Sequence, residues 1–415
     1  MIEFLLAILC VLSLTVMFLV PRKNPLFLYN LWWFLWLLLG YINILNLYVV
    51  SLSVYLYITL SIVVMNFTYL TMASSKVRIT KLGNLRSPKK LRLCARIFLY
   101  AFLVITILLI IRMMFLIGFD LGDYWKARFY YFGLEVPGSG VVISLFPSSI
   151  FAGLYHILTS GLLFCFILAL GLKHKALLYF TFFNVLIWCV LTTGRDLIFF
   201  LLIYMIFAFK DRTLSKNKNV IILVAFSIVL ISLFRSDGIE MVFYALISYF
   251  TGSIVYFDQL LLSGEPDTFQ FGAVTFSQVM PFVYHILGVI IEDAGSRPFI
   301  ELGGVLSEFV RISDGSPFFD YFNALPTWFF FFYVDFGFWG VVVYPSIIAV
   351  LLATLYNSFD SNISEHLALM SFVEASLLWS IFKPQLLDPQ YLTIIFIFIF
   401  IMVKNERSNS NNSIR

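Results

Sequence analysis

Nine side chains in this sequence have the type and setting to do chemistry on a charged, water-facing substrate. Arg195 sits in Thr-Thr-Gly-Arg-Asp, between two apolar runs. A helix start offers free N–H groups and partial positive charge, so an arginine beside one suits a phosphate or diphosphate. The same arginine also suits capping a tight turn or pairing with Asp196. Arg235, Arg297 and Arg311 are the only bases in the 92 residues from Arg235 to Pro326, which carry eleven acids and no lysine. Arginine without lysine points to planar, bidentate recognition. That fits a diphosphate clamp, and equally pairs that hold the segment to its own carboxylates. His285 has the side chain best matched to general-base work near neutral pH, with a structural hydrogen bond as the alternative. Glu292, Asp293, Glu301 and Asp335 are competing bases. Asp335 lies in Tyr-Val-Asp-Phe-Gly-Phe-Trp-Gly, where Gly337 and Gly340 also suit close helix packing. No spacing of His, Asp or Glu resembles a zinc or calcium site, so no metal and no cofactor is expected.

The elements that must position these groups are membrane helices. The chain is 61% hydrophobic and 12% charged, with a mean hydropathy of +0.96. Soluble domains carry about 25% charged residues. The expected fold is all-α: a polytopic integral membrane protein forming one transmembrane domain over 1–415. A span needs about 20 apolar residues. Eleven transmembrane helices are expected, at 3–20, 26–45, 47–73, 97–118, 148–172, 176–193, 196–209, 219–234, 336–356, 367–382 and 390–403. The first reads as a retained helix, since Met1–Val20 lacks a basic leader. Met241–Phe257 and Ala273–Ile291 are apolar too, and are expected as interfacial or re-entrant pieces of one large loop, 235–326. Four cysteines, none in that loop, predict no disulfide. Arg112, His156 and Glu374 fall inside spans, and an Arg112–Glu374 pair is the expected arrangement.

Charge sets the orientation. With eleven spans, 19 of the 27 lysines and arginines fall on one side, most densely in the basic loop 76–96. The positive-inside rule makes that side cytoplasmic. The N-terminus is then periplasmic, the C-terminus cytoplasmic, and the loops 119–140 and 235–326 periplasmic. Basic residues confined to short loops give no signal for nucleic acid.

The Thr-Gly-Arg-Asp between mid-chain spans, the long outer loop, and Asn323-Ala-Leu-Pro-Thr-Trp leading to Asp-Phe-Gly-Phe-Trp-Gly occur together. In this the chain resembles bacterial Wzy-type O-antigen polymerases, the oligosaccharide repeat-unit polymerases. The resemblance implies a glycosyltransferase C-like fold in the bacterial inner membrane. It implies transfer of a growing glycan from undecaprenyl diphosphate to the non-reducing end of a new lipid-linked repeat unit. Implied partners are undecaprenyl-diphosphate-linked oligosaccharides, membrane lipid and a chain-length regulator protein. Arg195 matches the family's mid-chain arginine; Arg235, Arg297 and Arg311 match by lying in the large outer loop. No outer-loop arginine here has a glycine eleven residues on, a departure from the Arg-x10-Gly pattern of some members. Two other readings stand beside it: an O-antigen ligase, and a lipid-linked oligosaccharide flippase, which should show two similar halves. No internal repeat is evident.

Overall fold

The computed structural model describes residues 1–19, 24–75, 82–133, 136, 142–192, 194, 196–210, 239–264, 272, 275, 310–314, 321–322, 326–360, 362–383 and 385–403. They are overwhelmingly helical. In chain order the helices of six or more residues are α1 (Ile2–Leu19), α2 (Pro25–Ile42), α3 (Leu52–Ser74), α4 (Pro88–Leu116), α5 (Ala127–Phe132), α6 (Ser149–Gly171), α7 (Lys175–Thr192), α8 (Asp196–Lys210), α9 (Ile239–Leu262), α10 (Trp328–Phe336), α11 (Phe338–Ser358), α12 (Ser364–Leu378) and α13 (Pro389–Met402). One antiparallel pair of two-residue strands, β1 (Val310–Arg311) and β2 (Tyr321–Phe322), is the exception to an all-α fold. Five helices, α2, α3, α4, α7 and α11, are long and apolar enough to cross a membrane. The expected run 219–234 lies outside the described residues.

The chain forms two compact units. The first comprises Met1–Lys81, Ser232–Ser358 and Ser376–Leu392. Within it α2 and α3 are antiparallel. Asn24 Nδ2 donates to Tyr69 Oη at 2.8 Å, and Asn30 and Asn66 exchange amide hydrogen bonds at 2.7 and 2.8 Å. All four residues are buried, and such polar pairs fix helix register where apolar contacts alone do not. Asn24 also caps α2 through Leu26 N–H, with Pro25 at the first helical position. α11 packs along α3, where Ser61 Oγ donates to the Val341 carbonyl at 2.8 Å.

Helix α9 is a single rod of 24 residues. It covers the run 241–257, expected as an interfacial or re-entrant piece, and packs inside the unit through Ile254, Val255, Tyr256 and Phe257. Phe250 stacks on Trp36 at 4.2 Å and meets Trp32 edge-on at 5.2 Å, at mid-height of α2. Two turns later Asp258 is close enough to act on the phenol of Tyr55, in the first turn of α3. So α9 runs parallel to α2 and ends at the face where α2 ends and α3 begins.

The second unit comprises Leu82–Ile231, Phe359–Ala375 and Thr393–Arg415. There Tyr155 stacks on Phe102 at 5.4 Å and shares a hydrogen bond with Thr106 at 2.8 Å, which joins α6 to α4. Tyr204 Oη donates to the Ala368 carbonyl at 3.0 Å, tying α8 to α12. Lys89, Lys90 and Arg96 give α4 an exposed basic start. The expected Arg112–Glu374 pair does not form: Arg112 is exposed and Glu374 is buried, and no ion pair joins them.

Candidate functional site

The Asp-Phe-Gly-Phe-Trp-Gly stretch folds as the tip of a helical hairpin in the first unit. Helix α10 begins deep. Trp328 packs on Tyr29 with ring centroids 5.7 Å apart, and Phe329 on Trp33 at 4.8 Å. Five residues on from Trp328, Tyr333 meets Tyr57, in the second turn of α3, at 5.1 Å. The helix thus rises toward the face where α3 starts, and α11 turns back beside it. Its length at 1.5 Å per residue puts its first residue about 13 Å below that face. The reversal needs both glycines. Gly337 has φ 59° and ψ −139°, a conformation essentially confined to glycine. A Cβ on Gly340 would lie 1.8 Å from the Phe332 carbonyl oxygen, so only hydrogen fits between α10 and α11.

Asp335 sits inside this hairpin, fully buried. Its Oδ2 accepts from the Thr275 N–H at 3.0 Å and from Tyr344 Oη at 3.1 Å. The carboxylate therefore ties residue 275 to α10 and α11, the packing role open to it in the sequence.

Arg311 lies on β1, half-exposed, and pairs with Asp314 at 3.0 Å across the strand end. The same Asp314 oxygen accepts from Tyr48 Oη at 2.8 Å, while Tyr48 N–H donates to the Ile312 carbonyl at 2.7 Å. The hairpin is so fixed to the loop between α2 and α3. Arg311 keeps 52% of its side chain accessible, enough to present its remaining N–H groups outward. Of the nine candidate residues, these two are the ones the structure places. Arg195, Arg235, His285, Glu292, Asp293, Arg297 and Glu301 lie outside the described residues.

Other polar groups emerge that the sequence reading passed over. Asp258 is 1% exposed, and neither carboxylate oxygen has a hydrogen-bond partner among the described residues. Ionisable groups buried in membrane helices tend to be functional, and this acid inside the apolar run 241–257 and its extension could have been flagged on that ground. At the start of α10, Thr327 Oγ1 is buried with no hydrogen-bond partner among the described residues, while Trp328 Nε1 faces Tyr29 Oη. In the second unit, His366 Nδ1 accepts from Asp360 N–H at 2.9 Å and its Nε2 faces the Gly83 carbonyl at 3.1 Å. Those partners require the neutral ring protonated at Nε2, and burial accordingly lowers its pKa. Among the described residues no group of three or more His, Cys, Asp or Glu could hold a metal ion.

In the first unit, the face where α3 starts and α9 ends thus presents tyrosines 48, 57 and 333 with Arg311 and Asp314, while Tyr55 and Asp258 lie buried beneath it. Such a surface can hydrogen-bond and stack on sugar rings. Comparisons with models of protein families, with curated proteins and with solved structures found no match.

Proposed function

We propose that this chain is an inner-membrane polymerase of lipid-linked oligosaccharide repeat units, of the Wzy type, with a glycosyltransferase C-like fold. The observation that carries this reading is the α10–α11 hairpin. The Asp-Phe-Gly-Phe-Trp-Gly pattern on which the resemblance rests is built into it by one glycine that must reverse the chain, one that must admit a carbonyl, and one buried acid. A pattern with that much geometric necessity is unlike a chance match of six residues. The tyrosine-rich, acid-bearing face above it supports a carbohydrate substrate.

In this reading the hydroxyl at the non-reducing end of the acceptor attacks the anomeric carbon of the lipid-linked chain. The bond from that carbon to the diphosphate oxygen breaks, and the diphosphate leaves with the electron pair. A base takes the hydroxyl proton as the new glycosidic bond forms. Arg195, Arg235, Arg297 and Arg311 neutralise the departing diphosphate. His285 is the leading base, with Glu292, Asp293 and Glu301 behind it, because the Asp335 carboxylate is already engaged by two donors. Eleven crossings with the N-terminus outside complete the proposal, α9 taking the place of 219–234 as the eighth.

The test is lipopolysaccharide banding from a deletion strain carrying plasmid copies. Loss of the gene leaves core capped with one repeat unit, wild type restores the ladder, and Arg195→Ala does not. Arg195→Lys restores it incompletely, since lysine lacks the planar fork. Bare core in the deletion strain would instead identify a ligase, and accumulation of unflipped lipid-linked units a flippase.

A further inference from the structure

Helix α4 opens with positive charge where a helix tolerates it least. Lys89 and Lys90 lie in its first turn, no acid stands there, and the Ser87 side chain makes no cap hydrogen bond. That turn already carries unpaired N–H groups and the positive end of the helix dipole. Arg92 and Arg96 stand four residues apart on one face, a like-charge pair that repels. Among the described residues every ion pair lies elsewhere, so no acid offsets these cations. Lys89, Arg92, Leu93 and Arg96 line an open groove of about 330 Å³.

A contact between α4 and the start of α7 also calls for an anion. His174 caps α7: its Nδ1 accepts from the Leu177 N–H at 3.1 Å. A backbone amide can only donate, so Nδ1 holds no proton and Nε2 must carry one. That Nε2 faces the Arg96 guanidinium at 3.3 Å, and a guanidinium has no acceptor. Two donors therefore face each other, and the pair is satisfied by an acceptor that neither residue supplies. An anionic oxygen beside them takes a hydrogen bond from each, and its charge relieves the repulsion along α4. Lys173 and Lys175, exposed on either side of His174, add to the positive field.

The same face identifies the class of ligand. α4 is long and apolar enough to cross a membrane. Next to the groove Leu93, Ile97 and Tyr100 are 59, 61 and 62% exposed, at spacings that continue the face of Lys89, Arg92 and Arg96. Tyr100 packs on Phe180 of α7 at 4.7 Å, so both helices border this surface. We propose that the start of α4, with Lys89, Arg92, Arg96 and His174, binds the phosphate of an anionic phospholipid whose acyl chains lie along Leu93, Ile97 and Tyr100. Any basic cluster flanking a span attracts anionic lipid, at about 1 kcal/mol per cation. The groove and the Arg96–His174 pair make this a site for one molecule instead of a diffuse charge. The inference is independent of the polymerase reading.

The test is native mass spectrometry of the purified full chain, titrated with dioleoyl phosphatidylglycerol, dioleoyl phosphatidylcholine and glycerol 3-phosphate. The chain is expected to hold one phosphatidylglycerol about tenfold or more tighter than phosphatidylcholine, whose choline cancels the phosphate charge. Arg92→Gln, Arg96→Gln and His174→Asn are each expected to weaken it about tenfold, the scale of one hydrogen bond to a charged group. The asparagine keeps a capping oxygen for the Leu177 N–H and removes the Nε2 donor. Lys90→Gln, one residue off the face, is expected to change binding less than about twofold. Equal weakening by Lys90→Gln and Arg96→Gln, or equal binding of the two phospholipids, overturns the site. Glycerol 3-phosphate binding as tightly as phosphatidylglycerol overturns the lipid source and leaves a site for free phosphate esters. Arg96→Gln also removes a repulsion, so without anionic lipid it should melt at or above the wild-type temperature. A lower melting temperature would make the Arg96–His174 contact structural and overturn the site.

Discussion

Asp335 holds the Thr275 N–H and the Tyr344 hydroxyl from inside a hairpin, and its substitution should show that this is its work. Asp335→Ala strands two buried donors, a loss of about 2–6 kcal/mol at one to three per unsatisfied group. Asp335→Asn keeps an acceptor oxygen and the shape, and should lose less than half as much. Thermal unfolding in detergent distinguishes them. An Asn variant that melts like wild type but transfers no sugar would make Asp335 a base instead. At this scale the sequence was partly legible. Asp335 stood out because two glycines followed it at spacings that packing requires. Asp258 directly follows the apolar run 241–257 in the sequence, yet it lies one turn inside α9 with no partner for its oxygens among the described residues. Its position along an apolar run said that it was buried, and nothing along the chain said which neighbours it would lack. The uncapped start of α10 was invisible for the same reason: a missing cap bond is a property of packing, and Thr327 in sequence looks like an ordinary cap.

Apolar length was enough to find the helices. The expected runs 26–45, 47–73, 97–118, 176–193 and 336–356 correspond to α2, α3, α4, α7 and α11, with ends moved by caps such as Asn24-Pro25 or by a basic first turn, as in α4. The hairpin was not legible, because the aromatic run 328–336 has no period that separates a short deep helix from the start of the next span. Its glycines make the most direct test. At Gly340 a methyl group would meet backbone, the Phe332 carbonyl oxygen at 1.8 Å, which cannot swing away. At Gly161 in the second unit it would meet the edge of the Phe98 ring at 2.4 Å, a side chain that can rotate. Gly340→Ala is therefore expected to cost 3 kcal/mol or more and to lower membrane accumulation, and Gly161→Ala about 1–2 kcal/mol. Equal melting temperatures for the two variants would mean that α10 and α11 do not pack as close as described.

For the whole molecule, the direction of α9 decides how the chain threads the membrane. The sequence reading put the eighth crossing at 219–234 and left 241–257 in or under the outer loop. One extra crossing would invert every charge assignment downstream. α9 runs from the face where α2 starts to the face where α3 starts, and α11 leaves from that second face. With α9 as the eighth crossing, as proposed, the chain between α9 and α10 is 65 residues, 263–327. If the basic loop after α3 is cytoplasmic, a phosphatase reporter joined after Ile239 should be inactive and one joined after Ser263 active. Had 219–234 crossed and α9 only dipped, both fusions would be active. Cysteine labelling supplies the second axis. Asn46 and Ser263 are exposed at one face of the unit and Ser75 at the other. An impermeant maleimide added to spheroplasts should therefore modify Asn46→Cys and Ser263→Cys and spare Ser75→Cys. The reverse pattern would put the tyrosine-rich face in the cytoplasm, out of reach of any periplasmic glycan, and would end the polymerase reading along with the orientation.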